Sequence, residues 1–98
     1  MAYHVYVVEL SAQAAHRQGS LARLRHGARC YYVGSTHLPV RQRLSAHLSG
    51  RRVGSSIVAR FGKRIVSTRI YSTREAAERA ELALARRLAQ SGAVVYTG

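Results

Sequence analysis

The chain has 98 residues, of which 47% are apolar, so it can form one compact domain with a hydrophobic core and is too short for two. No stretch approaches the roughly 20 apolar residues of a membrane-spanning helix and no signal-peptide pattern is present, which predicts a cytoplasmic protein with no membrane partner. Sixteen Lys and Arg against four Asp and Glu give a net charge of +12, which predicts a polyanionic partner.

Two strands are predicted in the first third of the chain. Residues Tyr3 to Leu10 are rich in β-branched and aromatic side chains and have the length of a strand. Residues 11–28 form an insert with some helical character. Arg29 to Gly34 is again strand-like and is expected to pair back onto the first strand as a hairpin; the lone cysteine, Cys30, is interpreted as a buried thiol.

The rest of the chain predicts two helices, a short helical turn and one or two further strands. In chain order these are a helix from Pro39 to Gly50, a turn of helix within 54–61, a strand from Arg64 to Tyr71, a helix from a Ser72 or Thr73 cap through Gln90, and a stretch from Ala93 to Tyr96 that adds an edge strand or packs down. We therefore predict one α+β domain over residues 1–98. Its core is a small three-stranded antiparallel sheet flanked by helices, with a long insert between strands 1 and 2.

The type of basic residue favours nucleic acid over a membrane surface. Every basic residue except Lys63 is an arginine, and the planar guanidinium group suits bidentate phosphate contacts. The basic residues are scattered, and no amphipathic helix sets bulky apolar groups opposite them. We predict DNA as the partner, with RNA as the other polyanion of this chemistry, and no obligatory protein partner.

One carboxylate of the C-terminal helix lies where the periodicity predicts a core residue. With Ala77 at zero and about 100° per residue, Ala80, Leu84 and Leu88 lie within about 60° of it, and Glu81 lies at about 40°. An inward carboxylate costs desolvation energy unless it is paired or binds a cation. Two interpretations stay open, a salt bridge to an interior arginine and a metal ligand in a cleft.

Two further pairs of residues have spacing that suits phosphate chemistry. Arg43 and His47 share one face of the predicted helix, where they can hold a phosphate or form a solvated rim. Tyr6 and Tyr32 come onto neighbouring strands of the hairpin, where their hydroxyls can face a common cleft or belong to the core.

Taken in order, four blocks of the sequence resemble the GIY-YIG nuclease family. They are His4-Val5-Tyr6 in place of the GIY triplet, Tyr32-Val33-Gly34 in place of YIG, Arg41 to His47 (RQRLSAH) in place of an arginine- and histidine-bearing helix, and Thr73 to Glu81 (TREAAERAE) in place of the helix with the metal-binding glutamate. The family's activity, phosphodiester hydrolysis in a nucleic acid, is what the resemblance implies.

The resemblance also implies roles for individual residues. Glu81 would bind a single Mg²⁺ or Mn²⁺, and Arg43 would hold the scissile phosphate. Tyr6, Tyr32 or both would orient and deprotonate the attacking water, with His47 assisting. We predict that the nucleic acid contacts a basic set made up of Arg41, Arg43, His47, Arg51, Arg52, Arg60 and Lys63.

The sequence departs from the family pattern in three places. His4 replaces the glycine of the first triplet. The chain contains no asparagine, so the asparagine that many family members carry after the glutamate helix is missing. The two triplet tyrosines, Tyr6 and Tyr32, are separated by 25 residues (32 − 6 − 1), more than is usual in the family. The insert would form an arm that contacts substrate through Arg17, Arg23, Arg25 and His26. Two alternatives to a metal-dependent endonuclease are a basic nucleic-acid-binding module without catalysis and a basic structural protein associated with the ribosome.

Overall fold

The computed structural model describes residues 2–12, 14, 29–37, 42 and 56–97. Its elements are β1 Tyr3–Leu10, β2 Cys30–Thr36, α1 Ser56–Phe61, β3 Gly62–Tyr71, α2 Arg74–Gln90 and β4 Val94–Thr97. The predicted helix over 39–50 lies outside the described residues apart from Gln42, and so does most of the predicted insert. The described elements confirm an α+β fold with the predicted hairpin of β1 and β2.

The predicted three-stranded antiparallel sheet is present as β3, β1 and β2. Among the described residues β4 adds a fourth strand, the edge strand that was one of two alternatives for the last stretch, and because it is parallel the sheet is mixed. Its order is β3-β1-β2-β4; β1 is antiparallel to β2 and β3, and β4 is parallel to β2. The amide of Val94 donates to the carbonyl of Arg29, and the hydroxyl of Tyr96 donates to the carbonyl of Ala14. Because α2 carries the chain back along the sheet, the last strand satisfies backbone groups of β2 that would otherwise lie unpaired at an edge.

The sheet is covered on both faces, which explains the continuous apolar run in β1. On one side, which we call the α1 face, Tyr6 and Tyr32 pack with Ile57 and Val58 of α1. On the other, the α2 face, Val5, Val7 and Val33 pack against Ala77 and Ala85 of α2. Successive residues of a strand point to opposite faces, so β1 and β2 each supply both cores.

Helix α2 begins and ends where its sequence predicts. The hydroxyl of Thr73 accepts a hydrogen bond from the amide of Ala76 at 3.1 Å, and Glu75 lies in the first turn where the helix dipole favours an acid. At the other end Gly92 has φ of 100°, a left-handed conformation that glycine adopts without strain and that turns the chain toward β4. None of the described helices is long and apolar enough to cross a membrane.

Strand β3 lies at the edge of the sheet and is mostly exposed. Val66 is 44% exposed and Ile70 is 69% exposed. Charged side chains accompany them along the same strand, at Lys63, Arg64 and Arg69. At its start, the carbonyl of Val58 would lie 2.5 Å from a Cβ on Gly62, so the close turn from α1 into β3 requires glycine.

Candidate active site

Glu81 lies half-buried on the inward side of α2, as the helical periodicity predicts. Burial raises the pKa of its carboxyl group above the usual 4.5, the hydroxyl of Ser35 opposes that by donating a hydrogen bond to the carboxylate, and the nearby charge of Glu78 raises the pKa further. Ser35 is in β2 and its partner in β1 is Val5, a residue of the α2 face. Both ion pairs found among the described residues involve Glu9. Within that part of the chain, no arginine therefore forms the salt bridge to Glu81 that was one of the two interpretations.

A polar cleft opens beside this carboxylate at the N-terminal end of α2. It has a volume of about 180 Å³, and its polar lining comes from Tyr3, Ser35, Thr36, His37, Arg74 and Glu78. Ser35 therefore both lines the cleft and hydrogen-bonds Glu81. The guanidinium group of Arg74 lies 5.9 Å from the centre of the Tyr3 ring, within cation–π range. The cleft brings together the carboxylate of Glu78, hydroxyl groups, an imidazole and a guanidinium group, which suits binding of a phosphate group with a cation.

The two predicted catalytic tyrosines come together on the α1 face. Their ring centroids are 6.2 Å apart with an interplanar angle of 38°. Tyr6 is 1% exposed and Tyr32 is 4% exposed, so both rings belong to a packed core, which is one of the two positions that the sequence left open for them.

Gly34 explains how these rings fit against β2. A Cβ at this position would lie 2.7 Å from the hydroxyl oxygen of Tyr6, 2.8 Å from its Cζ and 3.0 Å from Cε1 of Tyr32. Because those contacts are closer than real Cβ atoms make, the last residue of the Tyr32-Val33-Gly34 triplet must be glycine. The hydroxyl of Tyr6 thus lies over Gly34, the residue next to Ser35.

The tyrosines and Glu81 approach the same point of β2 from opposite faces of the sheet. Gly34 pairs with Tyr6 and Ser35 pairs with Val5, and neighbouring residues of a strand face opposite sides. Gly34, which lies under the tyrosine rings, and Ser35, which hydrogen-bonds Glu81, are therefore consecutive residues of β2. The candidate site is centred on this Gly34-Ser35 step.

Most of the predicted nucleic-acid-binding residues lie outside the described residues. These are Arg41, Arg43, His47, Arg51 and Arg52, together with Arg17, Arg23, Arg25 and His26 of the insert.

Arg60 and Lys63, the two described members of the set, lie at the end of the sheet away from Ser35. The guanidinium group of Arg60 stacks 5.3 Å from the Phe61 ring centre, and Lys63 precedes Arg64, the register partner of Glu9. Four positions of β1 separate Glu9 from Val5, roughly 13 Å along the strand. The structure does not bring these two residues to the cleft.

None of the polar residues that line the cleft was expected from the sequence; Ser35, His37 and Arg74 are three of them. One of them carried a signal, because Arg74 occupies the first turn of α2, where the helix dipole disfavours a cation. A cation kept in an unfavourable position is a reason to look for an anion nearby. Ser35 and His37 gave no such signal, since serine and histidine after a strand are common in loops.

The donor set around Glu81 can be compared with what different metal ions need. The described residues bring together no group of three or more His, Cys, Asp or Glu side chains that could hold a metal. Zinc requires such a set, whereas Mg²⁺ is commonly held by one or two carboxylates together with water and substrate phosphate oxygens. A single half-buried carboxylate beside a polar cleft therefore fits Mg²⁺ or Mn²⁺.

Comparison with known families agrees with this geometry. Residues 22–92 match the family model of the GIY-YIG catalytic domain. The chain belongs to the GIY-YIG family, which is a family of nucleases and implies a nucleic acid substrate. The match includes β2 with Tyr32 and α2 with Glu81, and it begins after β1, so the His4-Val5-Tyr6 triplet lies before it. No curated protein and no solved structure matches the chain.

Proposed function

We propose that the protein is a divalent-metal-dependent endonuclease that hydrolyses phosphodiester bonds in DNA, with Glu81 as the residue that binds the metal ion. The observation that carries the proposal is the half-buried carboxylate of Glu81, bonded to Ser35 beside a cleft of polar and basic side chains. A carboxylate in such a place costs desolvation energy, and a bound cation offsets that cost.

Each residue of the site has a distinct task in this proposal. Glu81 holds the cation, and Ser35 fixes the orientation of the carboxylate through its hydrogen bond. Arg43 holds the scissile phosphate with its planar guanidinium group, assisted by His47. Tyr6, Tyr32 or both orient the attacking water, and one of them, ionised to the tyrosinate, accepts its proton. When bound, the divalent ion supplies positive charge that stabilises the charge building on the phosphate and the leaving oxygen.

A cleavage assay with a matched pair of variants tests the role of Glu81. Labelled single-stranded, duplex and branched DNA are incubated with the protein and Mg²⁺ or Mn²⁺. We expect cleavage by the wild type, its loss with EDTA, and a decrease of about 100-fold or more in Glu81→Gln, comparable to losing a major stabiliser of transition-state charge. Glu75→Gln is the control, because Glu75 is an exposed carboxylate on the same helix that does not line the cleft.

Conservative variants of the tyrosines test their hydroxyl groups separately from their packing. Tyr6→Phe and Tyr32→Phe keep both buried rings, so a loss of cleavage at unchanged thermal stability supports a role in orienting water. Cleavage by both variants at the wild-type rate contradicts that role.

A second candidate function is a nucleic-acid-binding module without catalysis. The burial of both tyrosines on the face opposite Glu81 favours it. The two functions predict different results in the same assay: the binding module binds DNA with strong salt dependence and cleaves none of the substrates with either metal.

A further inference from the structure

A second groove lies on the α2 face, between α2 and the edge strand β3. It has a volume of about 180 Å³, and two alanines, Ala80 and Ala83, form its helix wall. Small side chains leave this side of the helix open. Glu81 points toward β2, about 100° round the helix from Ala80. The groove is therefore separate from the polar cleft beside Glu81.

The groove has an apolar floor and an aromatic wall. Val5 and Leu84 supply aliphatic surface, Tyr71 supplies a partly exposed ring, and Ser67 supplies a hydroxyl at the rim. Pockets that enclose a whole small molecule have volumes of about 300–1,000 Å³. A groove of this smaller size suits one flat group that inserts from the surface.

Two arginines, Arg69 and Arg87, stand at this groove with exposed side chains. The four acidic residues of the chain are Glu9, Glu75, Glu78 and Glu81. In the part of the chain that the structure describes, Glu9 alone forms ion pairs, and its partners are Arg64 and Arg29. Neither groove arginine is neutralised by a glutamate there, so both guanidinium groups are open to an anion.

The groove lies at the same level of the sheet as the site of Glu81. Val5 is the register partner of Ser35 in β2 and of Arg69 in β3, so the three residues form one row across the sheet. With neighbouring strands about 4.8 Å apart, the Cα atoms of Ser35 and Arg69 are roughly 10 Å apart. A stacked nucleic acid strand advances 3.4 Å per nucleotide, so about three nucleotides cover that distance.

We propose that this groove binds one unpaired nucleotide of a single-stranded nucleic acid, with its base against Tyr71 and Leu84 and its flanking phosphates on Arg69 and Arg87. Stacking of a base on an aromatic ring combined with arginine contacts to phosphates is the usual chemistry of single-strand binding. A duplex cannot use the groove in this way, because its bases are already stacked and paired. The inference deepens the proposed nuclease function by assigning it a single-stranded segment beside the cleavage site.

The first test measures binding without cleavage. Fluorescence anisotropy is recorded for a labelled oligothymidylate in about 0.1 M salt with EDTA, so that no metal-dependent reaction occurs. We expect Arg69→Gln combined with Arg87→Gln to weaken binding about 10- to 100-fold. The control combines Arg79→Gln with Arg86→Gln, which removes the same charge from the exposed outer side of α2 and is expected to weaken binding less than about threefold. Equal weakening by the two double variants overturns the proposal.

The second test asks whether a base enters the groove. Ala83→Leu fills the groove without removing charge, and Ala89→Leu adds the same group at an exposed position of α2 outside it. We expect Ala83→Leu to weaken binding of the oligothymidylate severalfold more than Ala89→Leu does, and to leave binding of an abasic oligonucleotide and a duplex unchanged. Equal weakening for all three probes overturns the base site. Because both tests omit the metal, an inactive Glu81 site leaves their results unaffected.

Discussion

The two faces of the sheet differ in what fills them. The α1 face is a core of large, closely packed side chains, in which Tyr6 is 1% exposed and Val8 and Val58 are fully buried. The α2 face packs buried valines of the sheet against alanines and half-buried residues of α2, and it carries Glu81, the polar cleft and the β3–α2 groove. Large rings on one side of β2 lie directly against Gly34, while the small side chains of α2 on the other side leave room for polar groups and ligands. Substitutions made on each face test this difference.

The largest expected effect comes from the same truncation made on each face. Tyr6→Ala removes a fully buried ring and is expected to cost about 3–5 kcal/mol of unfolding free energy, as for other aromatic-to-alanine changes in cores. Glu81→Ala is expected to change that free energy by no more than about 0.5 kcal/mol. Urea denaturation followed by circular dichroism measures both. Similar losses for the two variants would show that the faces are equally packed.

Next in size is the effect of adding one methyl group at Gly34. Gly34→Ala brings a Cβ into the space of the Tyr6 and Tyr32 rings, and overpacking of this kind costs about 1–3 kcal/mol. Tyr6→Leu removes the phenol end that the methyl group meets. In a double-mutant cycle, we therefore expect Gly34→Ala to cost at least about 1 kcal/mol less in the Tyr6→Leu background than in the wild type. If the losses of unfolding free energy in the two variants simply add, the strain caused by Gly34→Ala does not arise from contact with the Tyr6 ring.

A smaller effect with the opposite sign is expected at Glu81. Because burial raises its pKa in the folded state, the charged carboxylate lowers stability at neutral pH, and the folded state regains stability as the pH falls through the raised value. Glu81→Gln is therefore expected to raise the melting temperature at pH 7 by about 2–4 °C. The difference from the wild type should shrink as the pH is lowered toward 4. A lower melting temperature at pH 7 would contradict the assigned cause.

The smallest effect is expected at Glu9, a carboxylate near the C-terminal end of β1. The hydrogen bond from Arg64, 2.9 Å long, lowers the pKa of Glu9 against a weaker opposing effect of burial. The ionised carboxylate of Glu9 therefore stabilises the folded state at pH values above the usual carboxyl pKa. This stabilisation is lost as the pH falls through the lowered pKa of the folded state. Glu9→Gln should thus lower the melting temperature slightly at pH 7, by a difference that shrinks as the pH falls through the lowered pKa of Glu9, whereas Glu81→Gln raises the melting temperature at pH 7. The same sign for both glutamates would refute the comparison.

Local sequence patterns predict the helices and strands of this fold better than they predict how those elements pair and pack. The bounds of β1, the Thr73 cap and the inward position of Glu81 follow from chemistry within a few residues of each other. The fourth strand was only one of two alternatives, because a short stretch after a glycine becomes a strand only if an edge such as that of β2 lies beside it. The resemblance to GIY-YIG nucleases was confirmed over residues 22–92, while the altered first triplet lies before the match.

The candidate site divides in the same way. Glu81 was found from a single helix because a carboxylate in an apolar stripe conflicts with its surroundings. Ser35, His37 and Arg74 become neighbours only when β2 and α2 pack together, so no spacing along the chain reveals them. The opposite placement of Tyr6 and Glu81 follows from register, since a shift of one residue would exchange the two faces of β2.

The exposed edge of β3 bears on how the protein behaves at high concentration. In the part of the chain that the structure describes, β3 has no neighbouring strand on its outer side, and such an edge with Val66 and Ile70 exposed is a template for pairing with another copy. Repulsion between positive charges such as Lys63, Arg64 and Arg69 opposes that association. Nucleic acid that neutralises those charges removes the repulsion while leaving the apolar side chains exposed. Colloidal stability is therefore expected to be lowest near charge equivalence with a polyanion and to recover when either component is in excess, which light scattering during a titration would reveal.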